Sequence, residues 1–128
     1  MTATRAVDFS FVAATIALSV YGQIALKWRL DQLGPLPAGA GPALRRLLVV
    51  LFDPVVASTF VAAFAASLAW MAALTRFELS RIYPFTSLSF VLVLLIGAFV
   101  LGERLDWSKI VGVALIVIGT AVVSAGPR

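Results

Sequence analysis

Four long apolar stretches separated by short polar breaks dominate the chain. The first runs from Phe9 to Trp28, follows Arg5 and Asp8, and ends in Lys27, Trp28 and Arg29. A cationic and aromatic ending marks a membrane–water boundary. The stretch is too long for a signal-peptide core and carries no small-residue cleavage site, so it reads as a retained helix over 9–30. Asp31, Gly34, Pro35, Pro37, Gly39, Gly41 and Pro42 then break any helix. Over 43–52, Leu44, Leu47, Leu48 and Leu51 recur at helical spacing with Arg45 and Arg46 off their stripe. That segment is too short to span and predicts an amphipathic helix lying in the lipid interface. The alternative makes it the start of the next span. Asp53-Pro54 is a helix start, with Asp at the N-cap and Pro in the first turn. It opens a second span over 54–75, and a polar turn at Arg76–Ser80 follows. A third span is expected over 81–101, with Pro84 tolerated in its first turn. Gly102–Asp106 makes the next turn and a fourth span covers 107–124.

Composition agrees with the pattern. Of 128 residues, 62% are hydrophobic and 12% charged, against about 45–50% and about 25% in a soluble domain. Four spans of about 20 residues each would use most of the apolar total. The expected fold is an all-α membrane domain over residues 1–128, four transmembrane helices plus the interfacial one. Cys and His are both absent, which excludes disulfides, thiolate zinc sites, Cys nucleophiles and any Ser-His-Asp arrangement. No enzyme, metal or cofactor is indicated. The net charge of +4 fits contacts with membrane lipids better than nucleic acid. Four spans put both ends of the chain on one side, with Arg5, Arg76, Arg81 and Arg128. Lys27, Arg29, Arg45, Arg46, Arg104 and Lys109 lie on the other. That bias is weak, so orientation stays open and an antiparallel dimer is permitted.

Polar residues inside the spans carry the candidate chemistry. Thr15, Ser19, Gln23 and Lys27 are spaced by four and form one drifting stripe, with Gly22 beside it. An ammonium at membrane depth is costly and therefore a functional candidate. The alternative is that Lys27 snorkels to the headgroups. Tyr83, Thr86 and Ser87 make a second stripe in the third span, with Arg81 at its entrance. Trp70 is either a pocket wall or an interfacial anchor. Gly112 and Gly119, seven apart, suit close contact with another helix in a dimer, or packing within the chain. No Asp or Glu lies inside a span, which argues against the mid-membrane carboxylate of a cation exchanger.

Leu79-Ser80-Arg81-Ile82-Tyr83-Pro84, the apolar run after it, Leu101-Gly102-Glu103-Arg104-Leu105, and then Gly112, Leu115, Ile116 and Gly119 resemble one half of an EamA-type transporter of the drug/metabolite transporter superfamily. The glycines of the fourth span also resemble the dimer helix of the small multidrug resistance family. Leu18–Lys27 and Tyr83–Val91 are similar to the first and third helices of the flippase subunits that handle aminoarabinose-phosphoundecaprenol. The amphipathic stretch before Asp53 is similar to that of the longer of those subunits. One departure matters: multidrug exporters of the superfamily carry a glutamate in the first helix, where this chain has Ser19.

The resemblance implies a four-helix bundle like that of small multidrug resistance proteins, in the bacterial inner membrane. It implies movement of an undecaprenyl-phosphate-linked sugar between leaflets. It also implies pairing, as a homodimer or with a related four-helix subunit. The residues fit such a cargo. Ser19, Gln23 and Lys27 offer donors and a cation to a phosphate. Trp70, Tyr83 and Ser87 offer aromatic and polar partners to a sugar. Arg81 lies at the entrance, and Glu103 could meet an ammonium unless it pairs locally with Arg104 or Lys109. An exporter of small metabolites or drugs and a non-transporting accessory subunit of a membrane glycosyltransferase are the alternatives.

Overall fold

A computed structural model describes residues 2–127. Helix α1 spans Thr2–Leu33, α2 Ala40–Val50, α3 Pro54–Leu74, α4 Leu79–Ile82, α5 Leu88–Val100 and α6 Trp107–Ser124. A 3₁₀ segment, Tyr83–Ser87, joins α4 to α5. Four of these stretches are long and apolar enough to cross a membrane: α1, α3, α4 through α5 taken together, and α6. The 32 residues of α1 extend about 48 Å. A hydrocarbon core is about 30 Å thick, so α1 must tilt or carry turns outside it.

The core is the contact between α1 and α3. Val56, Thr59, Ala62, Ala66 and Ala73 are buried on one face of α3. Most are small, and small residues let two helix backbones approach where lipid gives no hydrophobic drive. Val12, Ile16 and Val20 of α1 are buried with Ala73 and Ile82. Gly22 lies against the Thr59 carbonyl, which would stand 3.4 Å from a Cβ placed there. At one end, Phe9 packs on Phe77 and Phe85 with ring centroids 5.0 and 6.2 Å away.

The third span is broken rather than continuous. Pro84 has no N–H for the Ser80 carbonyl, and its ring crowds the preceding turn. The chain tightens to 3₁₀ over Tyr83–Ser87 and becomes α-helical only at Leu88. In lipid the disturbed backbone needs a polar partner. Helix α6 supplies it. Thr120 Oγ1 lies 3.2 Å from the Pro84 carbonyl oxygen and 2.5 Å from Ser87 Oγ. With Ser87 donating to Thr120, the Thr120 proton is shared between the Ile116 carbonyl of its own helix at 2.9 Å and the Pro84 carbonyl. No residue of α6 is buried, so this polar contact and its packing on α5 hold that helix to the rest.

At the opposite end the charges are tied down. Asp53 caps α3, accepting from the Val55 and Val56 N–H groups at 3.0 and 3.3 Å. It also receives Arg29, whose Nε and NH2 nitrogens lie 2.7–3.1 Å from its carboxylate oxygens. The Arg29 guanidinium, ahead of the two backbone donors, holds the Asp53 carboxyl below the usual carboxylate range. Arg46 of α2 donates to the Leu33 carbonyl at 2.9 Å, which pins the interfacial helix beneath the end of α1. Asp106 caps α6, accepting from the Lys109 N–H at 2.9 Å and from Ser108 Oγ at 2.8 Å. The Lys109 N–H, then Ser108, lowers the Asp106 carboxyl.

Thr120→Val removes the hydroxyl shared by Ser87 and the Pro84 carbonyl. The expected cost is about 0.5–2 kcal/mol, read as a lower midpoint for unfolding in mixed detergent micelles. A depressed carboxyl contributes stability that is fully present above its ordinary pKa of about 3.9 and is lost as pH falls through the lower folded value. Asp53→Asn retains a cap but loses the ion pair. Between about pH 6 and about pH 3 its apparent Tm is therefore expected to fall less than that of the native chain.

Candidate functional site

A cleft of about 570 Å³ opens on the flank of the α1–α3 pair, closed at one side by the 3₁₀ segment. Its α1 wall runs from Thr15 to Leu26 through Ser19, Gly22 and Gln23. Eleven residue steps of helix make it about 16 Å long, roughly half the hydrocarbon thickness. Thr59, Ala63, Ala66, Ser67 and Trp70 form the α3 wall, and Tyr83 and Thr86 the end. Trp70 and Tyr83 meet edge to face with centroids 6.2 Å apart. Tyr83, where α4 passes into the 3₁₀ segment, and Thr86 within that segment close this end of the cleft.

Most hydroxyls in this cleft are occupied by their own helices. Thr15 donates to the Phe11 carbonyl at 2.8 Å, Thr59 to Val56 at 2.6 Å, Ser67 to Ala63 at 3.0 Å and Thr86 to Tyr83 at 2.6 Å. Ser19 Oγ, the Gln23 amide, the Trp70 indole N–H and the Tyr83 hydroxyl have no such partner among the described residues, yet all four line the cleft. No acidic residue lines it.

The other residues singled out in the sequence lie elsewhere. Lys27 is one turn beyond Gln23, about half-exposed, and its Nζ contacts Asp31 Oδ1 at 2.5 Å. It does not line the cleft. Ser87 is buried and engaged with Thr120, so its hydroxyl serves the helix break. Arg81 lines a separate cavity with Arg5 and the three phenylalanines.

Glu103 lines a second groove, of about 450 Å³, between α5 and α6, together with Ser89, Lys109 and Gly112. Gln23 lines both this groove and the cleft, so it stands at their junction. Glu103 makes no ion pair with Arg104 or Lys109 among the described residues, and Lys109 Nζ donates instead to the Arg104 carbonyl at 2.8 Å. The turn explains its position. Gly102 adopts φ 67° and the Glu103 N–H bonds the Gly97 carbonyl at 3.2 Å, a glycine helix ending that folds the chain back over α5. The carboxylate then lies against Gly97, 3.1 Å from where a Cβ would stand. Gly112 and Gly119 have no neighbouring atom within 4 Å of such a position, so neither serves close helix packing inside the chain.

Sequence reasoning treated Asp53 as a cap alone and did not foresee the Arg29 pair. The available signal was topological: α1 ends and α3 begins at the same membrane face. Thr120 was likewise passed over, because a lone hydroxyl on an apolar helix carries no signal until a break in another helix faces it.

Residues 2–125 match the EamA-like transporter family, and the chain belongs to that family. It is a multi-pass inner-membrane protein. A Pseudomonas fluorescens protein named "Probable 4-amino-4-deoxy-L-arabinose-phosphoundecaprenol flippase subunit ArnF" is 34% identical over 125 residues, covering 95% of this chain and 90% of the relative. Proteins of the same name from Pseudomonas aeruginosa and Erwinia tasmaniensis are similar too. The first is 38% identical, covering 87% of this chain and 80% of the relative. The second is 33% identical, covering 88% and 91%. No solved structure matches the chain.

Proposed function

We propose that this chain is one subunit of a flippase that carries undecaprenyl-phosphate-linked 4-amino-4-deoxy-L-arabinose across the inner membrane, and that it acts as a carrier and not as an enzyme. The observation that supports this most is the cleft itself. It is a lateral, acid-free opening at membrane depth whose unengaged donors are Ser19, Gln23, Trp70 and Tyr83, in a chain akin to flippase subunits.

The cargo has three chemically distinct parts. Its phosphodiester is an anion that needs donors in place of water, which Ser19 and Gln23 supply. Lys27, one turn on, adds charge when the phosphate displaces Asp31, because an exposed i,i+4 pair is weak and readily exchanged. Its sugar rests on the Trp70 and Tyr83 rings, whose polar tips reach the hydroxyls. Its ammonium meets Glu103 across the Gln23 junction. Its polyprenyl tail stays in the bilayer, for which a cleft open to the side suffices. Helix α6, with Gly112 and Gly119 uncovered, is the surface for a second four-helix subunit, identical or related.

The test is translocation in proteoliposomes of the chain, alone and with a related four-helix subunit. Lys27→Met and Gln23→Leu are each expected to slow transfer of the lipid-linked aminosugar about tenfold, the effect of one lost charge-assisted contact. Unchanged transfer in both variants at normal expression would remove the polar stripe from the mechanism. Glu103→Gln is expected to raise the half-saturating concentration of the aminosugar lipid several-fold and to leave a lipid bearing a neutral sugar unaffected. Gly97→Ala pushes the same carboxylate aside, its helix-propensity gain of about 0.5–1 kcal/mol set against the 3.1 Å contact. It should reproduce that selective loss, and adding the shorter Glu103→Asp should relieve it.

A further inference from the structure

The end of the molecule away from Lys27 holds a cavity that the proposed transport cleft does not use. Arg5, Phe9, Phe77, Arg81, Ile82, Phe85 and Ser124 enclose about 290 Å³. It gathers the start of α1, the turn before α4, the broken third span and the last turn of α6. Buried Ile82 sits between it and Tyr83, so the cavity faces away from the transport cleft.

Its chemistry is divided. One side is aromatic, the packed Phe9, Phe77 and Phe85. The other carries two guanidinium groups. Neighbouring acids do not neutralise them within ion-pair distance among the described residues: Asp8 faces Arg76 at 3.7 Å. Glu78 lies in the adjoining cavity, which Arg81 also lines, without a contact to Arg81 inside 4 Å. On the opposite membrane face Arg45 and Arg104 are likewise outside any ion pair among the described residues, but the other cations are engaged. There Lys27 and Arg29 pair with Asp31 and Asp53, while Arg46 and Lys109 donate to backbone carbonyls. Two guanidinium groups without an ion pair among the described residues therefore meet a floor of phenyl rings at this cavity. Two guanidinium forks suit the oxygens of a phosphate. A floor of phenyl rings suits the hydrocarbon next to it, and a free inorganic ion would gain nothing from that floor.

We infer that the Arg5–Arg81 cavity binds the phosphodiester headgroup of an anionic lipid, with the first carbons of its chains lying on Phe9, Phe77 and Phe85. The site stands whether or not the chain flips a lipid-linked sugar, because it is read by binding and not by transport.

The test is native mass spectrometry of the purified full chain released from nanodiscs of phosphatidylcholine containing increasing phosphatidylglycerol. The native chain is expected to retain phosphatidylglycerol preferentially. Each of Arg5→Gln and Arg81→Gln should lower that preference about fivefold, the usual effect of one basic side chain at a lipid surface. Arg45→Gln and Arg104→Gln, at the other face, should not. If the glutamine variants fail to fold, Arg81→Lys and a salt titration of the native chain take their place: weaker retention in either supports the site. Retention unchanged by every substitution at Arg5 and Arg81, or by salt, overturns it. Competition by glycerol phosphate as strong as that by the intact lipid would also overturn it, since the aromatic floor would then contribute nothing. Competition by a lipid-linked sugar phosphate supports the phosphodiester site and identifies the cargo as a second source of its ligand.

Discussion

In hydrocarbon a backbone amide or carbonyl without a partner costs several kcal/mol, and this constraint shapes the molecule around Pro84. The proline removes the N–H that the Ser80 carbonyl would use, the chain rewinds to 3₁₀, and the loosened stretch takes a hydroxyl from outside the helix at the Pro84 carbonyl. Thr120 brings it, and in doing so attaches α6, which buries nothing of its own. Tyr83, at the start of that stretch, stands at the end of the cleft beside Trp70. This stretch thus links helix packing to the end of the site.

Hydroxyl groups in this chain serve two purposes, and geometry separates them. A serine or threonine whose side chain reaches back to its own helix carbonyl is satisfied and mute toward a ligand. Thr15, Thr59, Ser67 and Thr86 are of that kind. Ser19 and Gln23 are not, so their polar groups remain free toward the cleft among the described residues. Charge is divided in a similar way. On the Lys27 face, acids and carbonyls answer most cations, so the loops there are fastened to the helix ends. On the Arg5 face, cations outnumber their partners.

Much of the architecture was legible beforehand because a bilayer imposes length and polarity on each segment separately. Four apolar runs of suitable length, an amphipathic stretch between the first two, and Asp53-Pro54 as a helix start are local facts; the first helix begins earlier than expected, at Thr2, and the third span is interrupted at Tyr83–Ser87. Among the site candidates, Ser19, Gln23, Trp70 and Tyr83 share one cleft. Lys27 and Glu103 lie beyond its edge, and Ser87 is occupied by α6. Periodicity gave the face of each residue but not what faces it, so the occupation of Ser87 was invisible.

The sequence alone determined the spans, their order, and the separation of charges to the two membrane faces, since those follow from transfer of single segments between water and lipid. Only the tertiary structure decided which polar groups remain free, that Asp53 receives Arg29, that Gly97 makes room for the Glu103 carboxylate, and that Arg5 and Arg81 converge on one aromatic cavity. These depend on residues far apart in the chain arriving within a few ångströms of each other, and no local pattern encodes that meeting.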